Sequence, residues 1–143
     1  NCSNNYGPNQ HDEKLIPTII RNLLSDELIP VYGQGTNVRD WIYVDDHCEA
    51  IWLILKGGKI GETYLVGADA ERTNMQTISS ICNLMERTVS SSIKFVEDRA
   101  GHDFRYAIDG SKLKEELGWK ARYTFLDGLS KTITFYKKKY NSP

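Results

Sequence analysis

The stretch Val38-Arg39-Asp40-Trp41-Ile42-Tyr43-Val44-Asp45-Asp46-His47 predicts a strand joined directly to a helix, and this junction decides the fold. Asp40 to Val44 is short and rich in aromatic and β-branched residues, as strands are. Asp45 and Asp46 then stand where carboxylates cap a helix N-terminus. Apolar residues follow at helical spacing as far as Gly57-Gly58, so we expect the buried face of this helix to consist of Val44, Cys48, Ile51 and Leu55.

The sequence before this junction predicts one helix and one strand. A helix is expected from about Glu13 to Leu24, and Pro17 is tolerable only in its first turn. Ile29 to Tyr32 is rich in strand formers, and Gly33-Gln34-Gly35 ends it with turn residues. The apolar positions of the helix fit a period of 3.6 residues and are Ile16, Ile19, Ile20, Leu23 and Leu24.

The sequence after the junction continues the alternation of strands and helices. Strands are expected at Thr63 to Val66 and at Ile93 to Val96, and Thr73-x-x-Gln76 is a capping box that opens a helix between them. A short helix contains Leu113 and Leu117 and ends at Gly118. The inner faces of the two longer helices are predicted to contain Ile78, Ile81, Cys82 and Met85 in the first and Leu129, Ile133, Tyr136 and Tyr140 in the second.

This alternation predicts an α/β protein. The 143 residues carry 18 Lys and Arg against 19 Asp and Glu, a formal net charge of −1, which argues against a dedicated nucleic-acid-binding protein. The longest apolar stretch, near Ala50 to Leu55, is far shorter than a membrane-spanning helix needs, so we expect a soluble chain with no membrane partner.

The three cysteines, Cys2, Cys48 and Cys82, are odd in number and widely spaced. They form no C-x-x-C pair and no zinc-binding pattern with a nearby His, so no metal site is expected. A reduced, cytoplasmic setting fits this usage best. Cys48 and Cys82 are predicted to lie on apolar helix faces and to behave as small hydrophobic residues.

No catalytic signature is complete in this chain. Gly33-Gln34-Gly35-Thr36-Asn37-Val38 supplies two glycines of a dinucleotide fingerprint, but Val38 replaces the third and no helix follows. A turn after a strand explains this stretch better. The chain has no phosphate-binding P-loop, no nucleophile elbow and no Tyr followed four residues later by Lys. We therefore expect none of its residues to be catalytic.

Several cationic side chains lie in or beside predicted loops and helix starts, where they suit an anionic ligand. The Arg guanidinium matches phosphate oxygens with a planar fork of donors, so a diphosphate is the expected anion; for each residue the alternative is a surface charge in a weak ion pair. The charged segment from Asp98 to Tyr106 is the most loop-like of the chain, and Gly101 at its centre suits close approach to a ligand. The candidate cations are Lys14, Arg39, Arg99, His102 and Arg105.

Four polar or aromatic residues have two open interpretations each. Asn4 and Asn5 lie at the end of the first apparent strand, so they suit a sugar hydroxyl or a carboxamide, or they form a turn before Gly7-Pro8. Asn74 binds the edge of a base or is simply the first residue of its helix. Tyr32 stacks on a ring or fills the core.

Six segments, in order along the chain, resemble the bacterial dTDP-glucose 4,6-dehydratase family, which belongs to the extended short-chain dehydrogenases/reductases. The Asp-Arg-x-Gly-His-Asp-x-Arg-Tyr segment is the one most specific to this activity. The segments are Ser3-Asn4-Asn5-Tyr6-Gly7-Pro8, Glu13-Lys14-Leu15-Ile16-Pro17, Val38-Arg39-Asp40-Trp41-Ile42-Tyr43-Val44-x-Asp46-His47, Gly61-Glu62-Thr63-Tyr64, Asp98-Arg99-x-Gly101-His102-Asp103-x-Arg105-Tyr106-Ala107-Ile108-Asp109 and Leu117-Gly118-Trp119.

The resemblance implies that residues 1–143 are the C-terminal, nucleotide-sugar-binding portion of a Rossmann-type NAD-dependent enzyme, with elements that complete the Rossmann domain. The family's N-terminal half supplies the NAD fingerprint, the Tyr and Lys of hydride transfer, and the Asp and Glu of water elimination. The chain opens on Asn1-Cys2-Ser3 without Met or a signal-peptide pattern, which also suggests a portion of a longer protein.

The resemblance also implies a role for individual residues. Asn4, Lys14 and Leu15 correspond to sugar and diphosphate contacts, and Asn5 to a contact near the nicotinamide of NAD. The diphosphate ligands are Arg39, Arg99 and His102, and the neighbours of thymine and its deoxyribose are Tyr32 and Asn74.

The implied substrate is a dTDP-sugar, and the implied full-length enzyme is a cytoplasmic homodimer of deoxysugar biosynthesis for cell-surface polysaccharides. It oxidises C4 of dTDP-glucose with NAD, eliminates water across C5 and C6, and returns hydride to C6. The alternatives are a related epimerase or decarboxylase and a non-catalytic fragment that binds nucleotide sugars. Ala100 and Phe104 depart from the family pattern, where Pro and a basic residue are usual.

Overall fold

The computed structural model describes residues 1–141, in which six strands are interspersed with six helices. The strands are β1 (Asn4–Tyr6), β2 (Ile29–Tyr32), β3 (Val38–Tyr43), β4 (Glu71–Thr73), β5 (Ile93–Val96) and β6 (Arg105–Tyr106). The helices are α1 (Leu15–Leu24), α2 (Val44–Gly57), α3 (Asn74–Leu84), α4 (Val89–Ser92), α5 (Ser111–Leu117) and α6 (Phe125–Asn141).

Strand β3 is the centre of the larger sheet. It pairs in parallel with β1, where Asn5 lies opposite Ile42, and with β6. It pairs antiparallel with β4, where Arg39 lies opposite Arg72. The smaller sheet consists of β2 and β5 in parallel, with Tyr32 opposite Val96.

The two faces of β3 are buried in two different hydrophobic clusters. Successive residues of a strand point to opposite faces, so Trp41 and Tyr43 enter the larger cluster and Ile42 the smaller one. The larger cluster is built mainly from α1, α3, α6 and β2. The smaller cluster contains Ile42, Ala50, Tyr64, Val66, Leu113 and Trp119.

Helix α6 packs closely on β1 in the larger cluster. The Tyr6 hydroxyl donates a hydrogen bond to the carbonyl of Phe125 at 3.0 Å. Gly128 lies against the same ring, and a Cβ at this position would collide with the Tyr6 hydroxyl. A glycine at residue 128 therefore permits the close approach of helix and strand.

Several predictions from the sequence are confirmed. Strands β2 and β5 have the predicted bounds, and α5 ends at Gly118 in the left-handed conformation. The capping box of α3 is complete, because Thr73 Oγ1 accepts from the Gln76 amide and Gln76 Oε1 from the Thr73 amide. The predicted inner faces are buried at Ile16, Ile19, Ile20, Leu23, Ile78, Ile81, Cys82, Met85, Leu129, Ile133 and Tyr136.

The predicted buried face of α2 is wrong. Ile51 and Leu55 are 51% and 75% exposed, and Cys48 is also exposed. The helix instead turns Ala50 towards the smaller cluster, together with Leu53 and Ile54 on its border. Apolar residues occur on both sides of this helix, so periodicity alone did not identify the side that packs against β3.

The predicted capping of α2 by Asp45 and Asp46 is also wrong. The helix begins at Val44, and its N-cap residue Tyr43 makes no side-chain capping bond. Asp46 is buried, and its carboxylate accepts hydrogen bonds from the backbone amides of Arg122 and Tyr123, at 3.0 and 3.1 Å. This aspartate therefore anchors the segment that leads into α6 rather than its own helix.

Other element bounds shift by a few residues. Helix α1 begins at Leu15, two residues after the predicted start, and β3 begins earlier, at Val38. Thr63 to Val66 does not form a regular strand, and a single bridge joins Val66 to Cys2. The last two residues of the predicted loop form β6 beside β3.

Within residues 1–141, no helix is long and apolar enough to cross a membrane. The same residues contain no group of three or more His, Cys, Asp or Glu side chains arranged to hold a metal ion.

The orientation of α2 can be tested by comparing a buried leucine of α1, Leu23, with the exposed Leu55 of α2. Leu23→Ala removes a buried side chain from the larger cluster, so it should lower the free energy of unfolding by about 2–5 kcal/mol. Leu55→Ala changes an exposed position and should stay within about 0.5 kcal/mol of the unsubstituted chain. Urea unfolding of both variants measures the difference, and equal losses would contradict the described orientation of α2.

Candidate functional site

Polar side chains gather where the two parallel strands of the smaller sheet end. β2 ends at Tyr32 and β5 ends opposite it at Val96, so the segments that follow leave the same edge of the sheet. In α/β proteins this carboxyl edge is where ligands bind. We call residues Asp98 to Asp103, which follow β5, the anion loop.

The anion loop places Arg99 and His102 against Tyr32. The Arg99 guanidinium carbon lies 5.0 Å from the centre of the Tyr32 ring, within the range of a cation–π contact. The His102 ring meets the Tyr32 ring edge-on, with 6.5 Å between the ring centres. Tyr32 is 38% exposed, so it serves this cluster rather than the core.

His102 lies between the Asp98 carboxylate and the Arg99 guanidinium of its own loop. Its Nδ1 is 2.7 Å from Asp98 Oδ1, and its Nε2 is 3.0 Å from Arg99 Nη2. The hydrogen bond from His102 holds the pKa of the Asp98 carboxyl below its ordinary value. Asp98 Oδ1 also accepts from the Arg99 amide, so this carboxylate closes the start of the loop.

The far end of the anion loop is fixed to β3 through one carbonyl. The carbonyl of Asp103 accepts from Arg39 Nη2 at 2.9 Å and from Asn37 Nδ2 at 3.1 Å. Arg39 also donates to the carbonyl of Val38. Arg39 therefore joins the loop to the strand, and its guanidinium borders the loop's concave side.

A surface pocket of about 280 Å³ lies between Arg39 and the anion loop. Its lining residues are Arg39, Arg99, Ala100, Gly101, His102 and Asp103. Two guanidinium groups and an imidazole thus converge on one concave surface, which suits an anion with several oxygens. The structure brings together Tyr32, Arg39, Arg99 and His102, four of the residues selected from the sequence.

Arg105, the fifth candidate cation, is occupied by a different partner. Its Nε and Nη2 bind both carboxylate oxygens of Glu71, and this pairing raises the pKa of Arg105 and lowers that of Glu71. Glu71 belongs to β4 and Arg105 to β6, and both strands pair with β3. The ion pair therefore fastens the end of the loop across the sheet.

Asn74 is the first residue of α3, as the capping-box interpretation predicted. Its backbone amide donates to the carbonyl of Asn37, so it lies next to the residue that anchors the anion loop. Its side-chain Oδ1 is buried and has no hydrogen-bond partner among residues 1–141. The base-edge interpretation of Asn74 remains a prediction.

Asn4 and Asn5 lie within β1 and not in a turn. Asn5 Oδ1 is 2.8 Å from His47 Nδ1, and Asn5 Nδ2 donates to the carbonyl of Ser3. Burial lowers the pKa of His47, which favours its neutral form. Asn5 also lines a separate pocket of about 190 Å³ beside Gln10 and Val44.

Lys14 and Leu15 lie at the start of α1, where Lys14 is the N-cap residue and is exposed. Leu15 packs against the larger cluster. No described contact joins either residue to the anion loop.

Asp98, Asn37 and His47 are three residues of these sites that were not selected from the sequence. The spacing of Asp98 and His102, four residues apart, was a signal that could have paired them. Asn37 reaches Asp103 across 66 residues of sequence, and His47 reaches Asn5 across 42. A local sequence pattern cannot predict contacts between residues so far apart in the chain.

The Glu71–Arg105 pair generates a test of how the loop is fixed. Glu71→Gln should speed amide hydrogen exchange at Arg105 and Tyr106 a few-fold, because the substitution removes the carboxylate that holds β6 across the sheet. Since Arg105 lowers the pKa of Glu71, the pair is intact above the ordinary range of a Glu carboxyl and is lost as pH falls through the lowered value.

Glu62→Gln is the matched control, because it removes a carboxylate that pairs with Lys112 outside the loop. Exchange at Arg105 and Tyr106 should not change in this control. Equal exchange rates in the two variants would show that the Glu71–Arg105 ion pair does not hold β6 against the sheet.

The sequence model of the family described as GDP-mannose 4,6 dehydratase matches residues 1–132. The chain is 54% identical to a dTDP-glucose 4,6-dehydratase of Mycolicibacterium smegmatis, over 96% of the chain and 41% of that relative. It is 51% identical to the dTDP-glucose 4,6-dehydratase of Xanthomonas campestris pv. campestris, over 95% of the chain and 41% of that relative. The chain thus spans about two fifths of the length of the curated relatives it matches.

Solved structures agree with this match. A dTDP-glucose 4,6-dehydratase of Streptomyces venezuelae with NAD and TYD bound superposes with a TM-score of 0.93 at 44% identity, over 97% of this chain and 44% of that chain. The resemblance inferred from the motifs is confirmed, and so is the α/β fold, which matches a C-terminal portion of the NAD-binding extended short-chain dehydrogenase/reductase fold. The chain belongs to the family described as GDP-mannose 4,6 dehydratase, and curated relatives at 45–54% identity to it are dTDP-glucose 4,6-dehydratases.

Proposed function

We propose that residues 1–143 are the nucleotide-sugar-binding portion of an NAD-dependent dTDP-glucose 4,6-dehydratase. The observation that carries this proposal is 51–54% identity to enzymes of that name over at least 95% of the chain. The convergence of the Arg39 and Arg99 guanidinium groups beside His102 in one pocket supports it independently, because a nucleoside diphosphate needs such guanidinium donors.

In this proposal, Arg39 and Arg99 bind the diphosphate of the substrate with their guanidinium donors, and His102, whose ring nitrogens bond to Asp98 and Arg99, belongs to the same diphosphate site. The 38% exposure of Tyr32, next to the proposed diphosphate ligand Arg99, supports a place for the base beside its ring. Asn74 contacts the nucleoside through its buried amide. Asn4, Lys14 and Leu15 are assigned to the sugar and diphosphate on the resemblance alone.

NAD supplies reversible oxidation of the sugar when it is bound to the whole enzyme. Of this chain, Asn5 would lie near the nicotinamide, and its amide fits because Oδ1 keeps a second lone pair beside the bond with His47. The Gly-rich loop that holds the rest of a dinucleotide is not in this sequence.

The contribution of this chain to the reaction is binding and orientation. Interactions with the nucleotide, remote from the reacting carbons, position the sugar against the groups that oxidise and dehydrate it. The whole protein is proposed to act as a cytoplasmic homodimer in deoxysugar biosynthesis for cell-surface polysaccharide, on the resemblance to its family.

Isothermal titration calorimetry of the chain with dTDP and UDP tests the binding proposal. We expect dTDP to bind more tightly than UDP. Arg99→Ala should weaken dTDP binding by about ten-fold or more, as the loss of a charge-assisted hydrogen bond does.

Arg87→Ala is the control, because Arg87 pairs with Asp26 and lines a different pocket. Its dTDP affinity should equal that of the unsubstituted chain. A preference for UDP would refute the assignment to dTDP, and an Arg99→Ala variant that binds as well as the Arg87→Ala variant would refute the proposed nucleotide site.

A further inference from the structure

We propose that Asp98 is a positioning residue, which fixes the tautomer of His102 and, through His102, the place of Arg99 on the Tyr32 ring. Neither the sequence comparison nor the proposed diphosphate contacts assign a role to this carboxylate. That the arrangement serves nucleotide binding rests on the proposed function. The effect of Asp98 on His102 itself does not.

The hydrogen-bonding capacities of the three side chains define one arrangement. A guanidinium has donors only, so Arg99 Nη2, 3.0 Å from His102 Nε2, requires that Nε2 accept. The Asp98 carboxylate, whose pKa is lowered, is an acceptor, so His102 Nδ1 must donate across the 2.7 Å to Oδ1. In its neutral form, His102 therefore carries its proton on Nδ1.

Asp98 can impose this tautomer because it is itself fixed. Its Oδ1 accepts from the Arg99 amide at 2.8 Å, and its side chain packs on Gly33, whose φ of 58° belongs to the turn after β2. His102 is held equally firmly, since only 6% of its side chain is exposed. A series of contacts thus connects the turn after β2 to Arg99: Asp98 packs on Gly33 and bonds to His102, and His102 bonds to Arg99.

The groups that face His102 from other elements do not replace Asp98. Tyr32 of β2 presents its ring edge, and Arg39 of β3 borders the same pocket but bonds to the carbonyls of Val38 and Asp103. Asp98 is thus the carboxylate that contacts the imidazole among residues 1–141. Without this acceptor, only the exposed Arg99 guanidinium opposes a proton on Nε2, and an Nε2–H would displace the Arg99 donors from the imidazole.

Asp98→Ala tests this role, because one atom, Asp98 Oδ1, accepts from both the Arg99 amide and His102 Nδ1, and an asparagine would keep that oxygen. Alanine removes the acceptor and leaves the imidazole free to carry its proton on Nε2. Glu97→Ala is the matched control, since it removes a carboxylate from the neighbouring exposed residue. Long-range ¹H–¹⁵N NMR reads the His102 tautomer, and calorimetry reads dTDP affinity.

In the unsubstituted chain and in Glu97→Ala, we expect the Nδ1–H tautomer of His102 and equal dTDP affinities. In Asp98→Ala, we expect a mixture of tautomers or the Nε2–H form, and about ten-fold weaker dTDP binding. An unchanged tautomer in Asp98→Ala, or a dTDP affinity equal to that of the Glu97→Ala control, would overturn the inference.

The experiments distinguish a failure of the nucleotide-site proposal from a failure of the role inferred for Asp98. An unsubstituted chain that does not bind dTDP refutes the nucleotide site, while the comparison of His102 tautomers in the free proteins still decides the role of Asp98. Thermal unfolding of both variants checks that they remain folded, as we expect because the Asp98 side chain is 46% exposed.

Discussion

Burial of both faces of β3 is the constraint on which the rest of the structure depends. Trp41 and Tyr43 fill one hydrophobic cluster and Ile42 the other, so the strand is the wall between two cores. Its edges pair with β1, β4 and β6, and the buried Asp40 carboxylate binds the backbone amides of Ala68 and Ala70. A change in the register of β3 would exchange its two faces and disturb both cores at once.

The candidate site uses this rigid strand as its support. Arg39 precedes the buried part of β3 and bonds to the end of the anion loop, while Tyr32 and the start of the loop leave the smaller sheet at one edge. The loop itself is polar and exposed, and the bonds at Asp98, Asp103 and Arg105 compensate for its lack of apolar packing. Cations are thus held on a fixed frame although the segment that carries them is a loop.

Local patterns predicted the parts of the fold that local chemistry determines. The capping box of α3, the bounds of β2 and β5, and the stripes of α1 and α6 needed only spacing and residue type. The buried side of α2 was mispredicted because Ile51 and Leu55 compete with Ala50 and Ile54, and only the packing against β3 selects between them. At the site, charge and position in loops or helix starts identified the cations, and the resemblance assigned their roles. Their partners Asn37 and Glu71 come from distant segments that no spacing rule connects.

The three tryptophans occupy three distinct environments, which makes the intrinsic fluorescence of the chain spatially resolved. Trp41 belongs to the larger cluster and Trp119 to the smaller one, and both are about 5% exposed or less. Trp52 is 56% exposed on the outer side of α2, with the Lys56 ammonium over its ring. A soluble quencher reaches Trp52 first. With Trp52 replaced by Phe, the remaining emission comes from Trp41 and Trp119, so a change in it reports loosening of one of the two cores and not an event at the surface.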